Sequence, residues 1–268
     1  MKLDDPPGLA SPPCQHVLQT LRHRVRGVQP AGNALHRQIM LQTGLFKLHR
    51  HSKIPMSYRV ALVKLLPEKF AEDFLNGNLY LNTFAYFSQL DQSDIVRSDP
   101  HDGAIEARQV LEVAIQEPTG NWIPIGGVQS PIIVHNDEIS NLNILCFYTL
   151  TDRPGDEFDD RNLEFGEVAV FISNLPEFIR RVRQAVAVSS WTVAHGPVEY
   201  VKRKTHDGLM GPFRKFQDYS YQSEFRFVFT TGKRSPLRLE IGSLRDIVHV
   251  ITSSKMASIW AAMRGENA

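Results

Sequence analysis

The sequence predicts an α+β protein with mixed, mostly antiparallel sheets and a few packed helices. Three observations predict it. The chain from Met56 opens as strand, helix, strand; a succession of short β-branched and aromatic runs separated by turn residues then reads as a meander; and only a few stretches carry helical spacing. At 268 residues and 42% apolar content the chain is long enough to bury a real core.

The N-terminal stretch opens with DDPPGLASPP, whose prolines remove backbone donors, and continues as HVLQTLRHRVRGVQPAGN, where a short helix is possible. Residues 1–55 hold eight Lys/Arg against two Asp, +6, whereas the rest holds 22 against 27 Asp/Glu, −5. Such a stretch fits a nucleic-acid-contacting arm, an organelle-type presequence or an extension ahead of the domain. The expectation is a basic, flexible extension over 1–55 and a single catalytic-type domain over 56–268.

YRVALVKLL predicts the first strand and PEKFAEDFLNGN a helix, with Pro67 in its first turn, Phe70 and Phe74 four apart on one face, and Gly77-Asn78 as its stop. LYLNTFAYF is the second strand. SQLDQSDIVRSDPHDGAIEARQ is polar and Asp-rich and reads as a surface loop. VLEVAI, WIPIGG, SPIIVHN, NILCFYTL and EVAVFIS are strand-like, LPEFIRRVRQAV is an amphipathic helix, VEYVKRKT, YQSEFRFVF, PLRLEI and IVHVIT complete the strands, and the last residues read as helical.

No window approaches the ~18 to 20 apolar residues that a spanning helix needs, so no membrane role is expected. Cys14 and Cys146 are too few and too distant for a disulfide framework or a Cys-based zinc site, which fits a reducing, cytoplasmic setting. The motifs GxxxxGK[ST], GxGxxG, GxSxG and HExxH are absent, which argues against common nucleotide hydrolases, dehydrogenases and serine hydrolases.

Four clusters could carry chemistry. Period-two alternation in YQSEFRFVF places Gln222, Glu224, Arg226 and Val228 on one face, opposite Tyr221, Ser223, Phe225, Phe227 and Phe229. A carboxylate beside a guanidinium and an amide is either aimed into a cleft or an ordinary cross-strand ion pair. In LYLNTFAYF, Tyr80, Asn82 and Phe84 alternate with Leu79, Leu81 and Thr83 before Tyr86 and Phe87, so an amide lies among rings that could stack on a flat heterocycle, or in a core strand. Arg97, Asp99, Asp102 and Glu106 with His101 suggest a divalent metal, an acid/base pair or a solvated acidic loop. Finally, Lys202, Arg203, Lys204, Arg214 and Lys215 are interleaved with Phe213, Phe216 and Tyr219, a pattern for phosphates and stacked bases or for a basic hairpin loop.

The order of these segments resembles ADP-ribosyltransferase-like domains. Gln222-Ser223-Glu224 looks like the Gln-x-Glu form of the late catalytic strand, and GNLYLNTFAYF looks like the nicotinamide-side strand. From Met56 onward the chain also resembles an uncharacterised bacterial family with a G-x-L-Y…N…F strand, an Arg/Asp loop, a CF strand and a late E-x-R strand. The resemblance implies an ADP-ribosyltransferase-like fold and NAD as substrate, with no metal. It makes Glu224 catalytic, with Gln222 orienting the acceptor and Arg226 as structural partner. It further places Tyr80 or Tyr86 on nicotinamide, Asn82 or Thr83 on its ribose or amide, and Arg59 or Lys64 on the phosphates. Arg97, Asp99, Lys204, Arg214 and Phe216 would then serve the acceptor, a nucleic acid or a protein. The Ser-Thr-Ser triplet of such enzymes does not stand on the second strand. Enzymes of this resemblance act as toxins or phage-defence effectors, which implies a neutralising partner protein. The alternatives are a non-enzymatic nucleic-acid-binding or regulatory module and a metal-dependent nuclease using Asp99, Asp102 and Glu106.

Overall fold

A computed structural model describes residues 60–90, 98–127, 129–151 and 156–263. The expected extension 1–55, Arg59 and Arg97 lie outside the described residues. The fold is α+β with antiparallel pairing dominant.

Strands β1 (Val60–Leu66) and β2 (Asn78–Thr83) flank a 3₁₀ turn at Glu68–Phe70 and a short helix at Ala71–Leu75. The helix buries Phe74 and Leu75, while Phe70, in the 3₁₀ turn, stays half-exposed under the Lys69 ammonium, so the two rings do not share one face as expected. A 3₁₀ start turns the backbone faster than an α-helix, which moves Phe70 off the line of Phe74. Gly77 adopts φ 84°, and a Cβ there would run into the Gly242 carbonyl, so this stop needs glycine.

The long strand β7 (Asn143–Thr151) organises the main sheet, in the order β14-β2-β7-β1-β8-β15, with β8 at Val168–Ile172, β14 at Leu237–Glu240 and β15 at Val248–Thr252. β13 (Glu224–Thr230) pairs with β7 and also with β9 (Thr192–Pro197). β1 and β2 meet different stretches of β7: Val60–Val63 face Tyr148–Thr151, while Asn82 and Thr83 face Ile144 and Asn143. At the fork between them, the Lys64 ammonium donates to the Cys146 carbonyl at 2.9 Å.

Alternation sorts the two faces of this sheet. Leu145, Phe147, Phe227 and Phe229 pack with Phe178, Val182 and Val186 of the amphipathic helix Leu175–Ala187. Residues of the other parity, Ile144 and Val228, pack with Phe84, Ile139 and Leu142. Against that second face lie short strands: β3 (Glu106–Arg108), β6 (Ile132–Val134) and β11 (Gly208–Leu209) in one sheet, and β10 (Glu199–Val201) parallel to β12 (Arg214–Phe216) in another. β4 (Val113–Gln116) and β5 (Trp122–Ile125) form a separate two-stranded sheet. The C-terminal helix Met256–Met263 buries Met256 and Trp260 against β1 and β7. Among the described residues no helix is long and apolar enough to cross a membrane.

Candidate functional site

The site begins with a backbone irregularity. Gln217–Gln222 is a 3₁₀ turn rather than the start of a strand, and Ser223 ends it at φ 41°, in the left-handed region that non-glycine residues rarely enter. The Ser223 carbonyl accepts from Thr149 N at 2.7 Å and its hydroxyl donates to Thr149 O at 3.1 Å, which holds that conformation. The expected single alternating run from Tyr221 is thereby corrected: β13 starts at Glu224. From there Glu224, Arg226 and Val228 do share a face, opposite Phe225, Phe227 and Phe229. Gln222 reaches the same spot by another route, through Lys215.

Lys215, on β12, points inward, with its side chain 3% exposed. Its ammonium donates to Gln222 Oε1 at 2.6 Å and to Glu224 Oε1 at 3.0 Å, and lies 3.3 Å from Asp99 Oδ2 and 3.7 Å from Asp102 Oδ2. Arg226 is fully buried and uses its whole fork: Nε donates to Glu224 Oε2 at 2.7 Å, one terminal nitrogen to Pro212 O at 2.9 Å, and the other to Asp102 Oδ2 at 2.9 Å. Its guanidinium also lies 5.2 Å from the Phe84 ring centre. Tyr200, opposite Lys215 in the β10–β12 pair, accepts from Glu224 N at 2.9 Å.

Three carboxylates thus meet two cations in a nearly dry space. Burial alone would push the Glu224 carboxyl up, but the Arg226 and Lys215 charges more than reverse this and hold it well below the usual carboxylate range. Asp99 goes the other way, raised first by burial and then by Asp102, against the pull of Lys215. Lys215 loses to burial and gains more from Glu224, Asp102 and Asp99, so it stays protonated. Neighbouring carboxyls whose proton affinities are driven apart are a mark of sites that handle charge. The Cys146 thiol, facing Arg226 across the β7–β13 pair, is pushed up to about 12, chiefly by burial and then by Glu224, so it is not a ready nucleophile.

Two expectations need correction here. From Ser98 onward the Asp-rich segment is not a solvated surface loop: Ser98, Asp99, Asp102, Ala104 and Ala107 are buried, because the turn at Asp99–Asp102 delivers its carboxylates to Lys215 and Arg226. The basic aromatic segment is not an open phosphate-binding surface either. Lys215 and Phe216 are buried, Arg214 pairs with Glu199 at 2.7 Å, and Arg203 stacks on the Phe216 ring at 4.3 Å; among the described acceptor-side residues Lys204 alone is exposed.

On the aromatic side the residues divide. Thr83 caps the Phe84–Ser88 helix by accepting from Tyr86 N at 3.2 Å, and buried Asn82 accepts from Thr83 N at 3.0 Å, so both have structural duties. Tyr80 and Tyr86 are about half-exposed, and Tyr86 meets Phe87 edge-on. Phe84 of this group reaches the cluster through the Arg226 guanidinium. Glu106 pairs with Arg108 at 2.9 Å, and among the described residues no set of three or more His, Cys, Asp or Glu is arranged to hold a metal.

The residues missed at sequence level are Lys215 as an interior group, Tyr200, Thr149 and Arg161. The Arg161 guanidinium is exposed, pairs with Asp159, and lies 3.7 Å from the centre of the Tyr221 ring, next to Gln222. Thr149 Oγ1 is buried beside Ser223 with no hydrogen-bond partner among the described residues. Tyr221 follows a basic aromatic run in sequence and could have been flagged; Arg161 had no such signal. No family model, curated protein or solved structure matches the chain.

Proposed function

We propose that the protein is an NAD-dependent ADP-ribosyltransferase with Glu224 as its catalytic carboxylate. The observation that supports this best is the dual grip of Arg226 and Lys215, which keeps a nearly buried carboxylate ionised and fixed beside the Gln222 amide. In the reaction, the bond between the nicotinamide nitrogen and the anomeric carbon breaks, and its electron pair leaves with nicotinamide. Positive charge grows on the ribose ring, and a fixed anion in a dry site stabilises it. A nucleophile on the acceptor then bonds to the anomeric carbon and loses its proton. Gln222 orients that acceptor. Arg161, exposed and stacked on Tyr221, is better placed than Lys64 for the diphosphate, since Lys64 is engaged with the Cys146 carbonyl.

The acceptor is a protein or nucleic-acid group. Burial of Lys215 and Phe216 lowers the case for a non-enzymatic nucleic-acid-binding module, because it removes much of the surface such a module would use. An effector that drains NAD harms its own cell, so a neutralising partner belongs to the same proposal. Incubation with NAD should release nicotinamide, and Glu224→Gln should abolish release while keeping the near-UV circular dichroism of the parent. Release undiminished in Glu224→Gln removes the glutamate from catalysis, and no release with any protein or RNA acceptor removes the proposal.

A further inference from the structure

The β4–β5 hairpin has an unusual surface. Its register pairs Val113 with Ile125 and Ile115 with Ile123, so these four side chains share one face, and no polar group interrupts it. Ile115, Ile123 and Ile125 remain 44%, 49% and 39% exposed, and Leu111 at the base of the hairpin is fully exposed. Among the described residues no third strand joins the pair. An isolated two-stranded hairpin is marginal in water, and a contiguous aliphatic face left open points to something that covers it.

Charge selects the occupant. From Gln109 to Gly127 the only charged residues are Glu112 and Glu117. A second copy would set these acids against their own kind on the rim. Residues 1–55 carry +6, and within them Val17, Leu21, Val25 and Val28 recur at helical spacing with Arg22, Arg24 and Arg26 between them. That pattern supplies an apolar stripe for the aliphatic ladder and guanidinium groups for the two glutamates. The connection 29–59, reaching up to about 3.3 Å per residue, can bring it to any side of a domain this size.

We infer that the segment Val17–Val28 of the same chain docks on the aliphatic face of the β4–β5 hairpin and covers it. The docking makes the basic N-terminal part a built-in partner of the domain, independent of the chemistry at Glu224.

Hydrogen exchange on the 268-residue chain tests this, with sedimentation velocity on the same samples. The hairpin amides between Val113 and Ile125 should be protected in the parent protein. They should exchange about tenfold faster or more in Leu21→Asp/Val25→Asp, while β7 and β13 amides stay unchanged as a control on folding. Ile123→Asp should in turn speed exchange in residues 17–28. The parent should sediment as a monomer. Equal hairpin exchange in the parent and the double variant overturns the inference, and so does protection that rises with protein concentration alongside a dimer boundary, which would make a second copy the cover.

Discussion

Glu177 on the Leu175–Ala187 helix and Glu224 on β13 are both carboxylates gripped by two cations, yet the surroundings make them different objects. Glu177 accepts from Arg180 and Arg181 at 2.7 Å each, Arg181 also reaches Asp246, and the pairs lie at the surface, with Arg180 and Asp246 each 60% exposed. Its carboxyl is pulled down to about 2, first by Arg180 and then by Arg181. At Glu224 the cations are 0% and 3% exposed and the carboxylate 11%, so far less water shares the work. Surface pairs in water exchange one set of good contacts for another and add little. In the interior, each partner has been stripped of water and depends on the others, so loss of one leaves a charge with nothing to replace it.

The contrast can be broken most sharply at Arg226. Arg226→Met should strand Glu224 and Asp102, and should lower unfolding stability by about 3–5 kcal/mol in urea titration. Glu224→Gln keeps the shape and removes one charge, and should cost about 1–3 kcal/mol near neutral pH. Its pH dependence has a definite sign. Because the folded Glu224 carboxyl is held below its unfolded value of about 4.3, its contribution is complete above that pH and is lost as pH falls toward the folded value. The stability gap between parent and Glu224→Gln should therefore close below about pH 4. Asp99 works oppositely: it is raised in the fold, so it takes stability away as pH climbs past about 3.9.

Gly103 supports the cluster from the backbone. It sits at φ 73°, and an added Cβ would lie 2.8 Å from Phe84 Cβ, the side chain that covers Arg226. Gly103→Ala should cost about 1–3 kcal/mol, read as a drop in melting temperature. Glu177→Ala should have the smallest effect of the series, and raising the salt concentration should shrink it further, because exposed pairs are screened. A Glu177→Ala loss comparable to that of Arg226→Met would erase the distinction drawn between the two clusters.

The sequence made much of the sheet legible and little of the site's assembly. Alternation of Glu224, Arg226 and Val228 against Phe225, Phe227 and Phe229 could be read directly, because one buried face of a strand dictates residue type at every second position. Gln222 broke that reading, since a left-handed serine carries no signature in the residue alphabet. The Asp99–Asp102 turn looked like solvent-facing loop, because the residue that makes its burial tolerable, Arg226, stands 124 positions away. Lys215 lay inside a run of exposed-looking basic and aromatic residues, and only the parallel pairing of β10 with β12 turns it inward. β9 went unread as a strand, its His195, Gly196 and Pro197 diluting any strand pattern in an edge position.

An ionised Glu224 carboxylate inside the fold underlies both the stability of the cluster and the proposed chemistry. Carbon-13 NMR of the glutamate side-chain carboxyls, with Glu224→Gln used to assign the signal, follows that ionisation directly. The Glu224 carboxyl should keep its ionised chemical shift as pH falls through about 4.3, the range in which free glutamates titrate, and should change only when the protein unfolds in acid. Titration near that ordinary value in the folded protein would contradict the account.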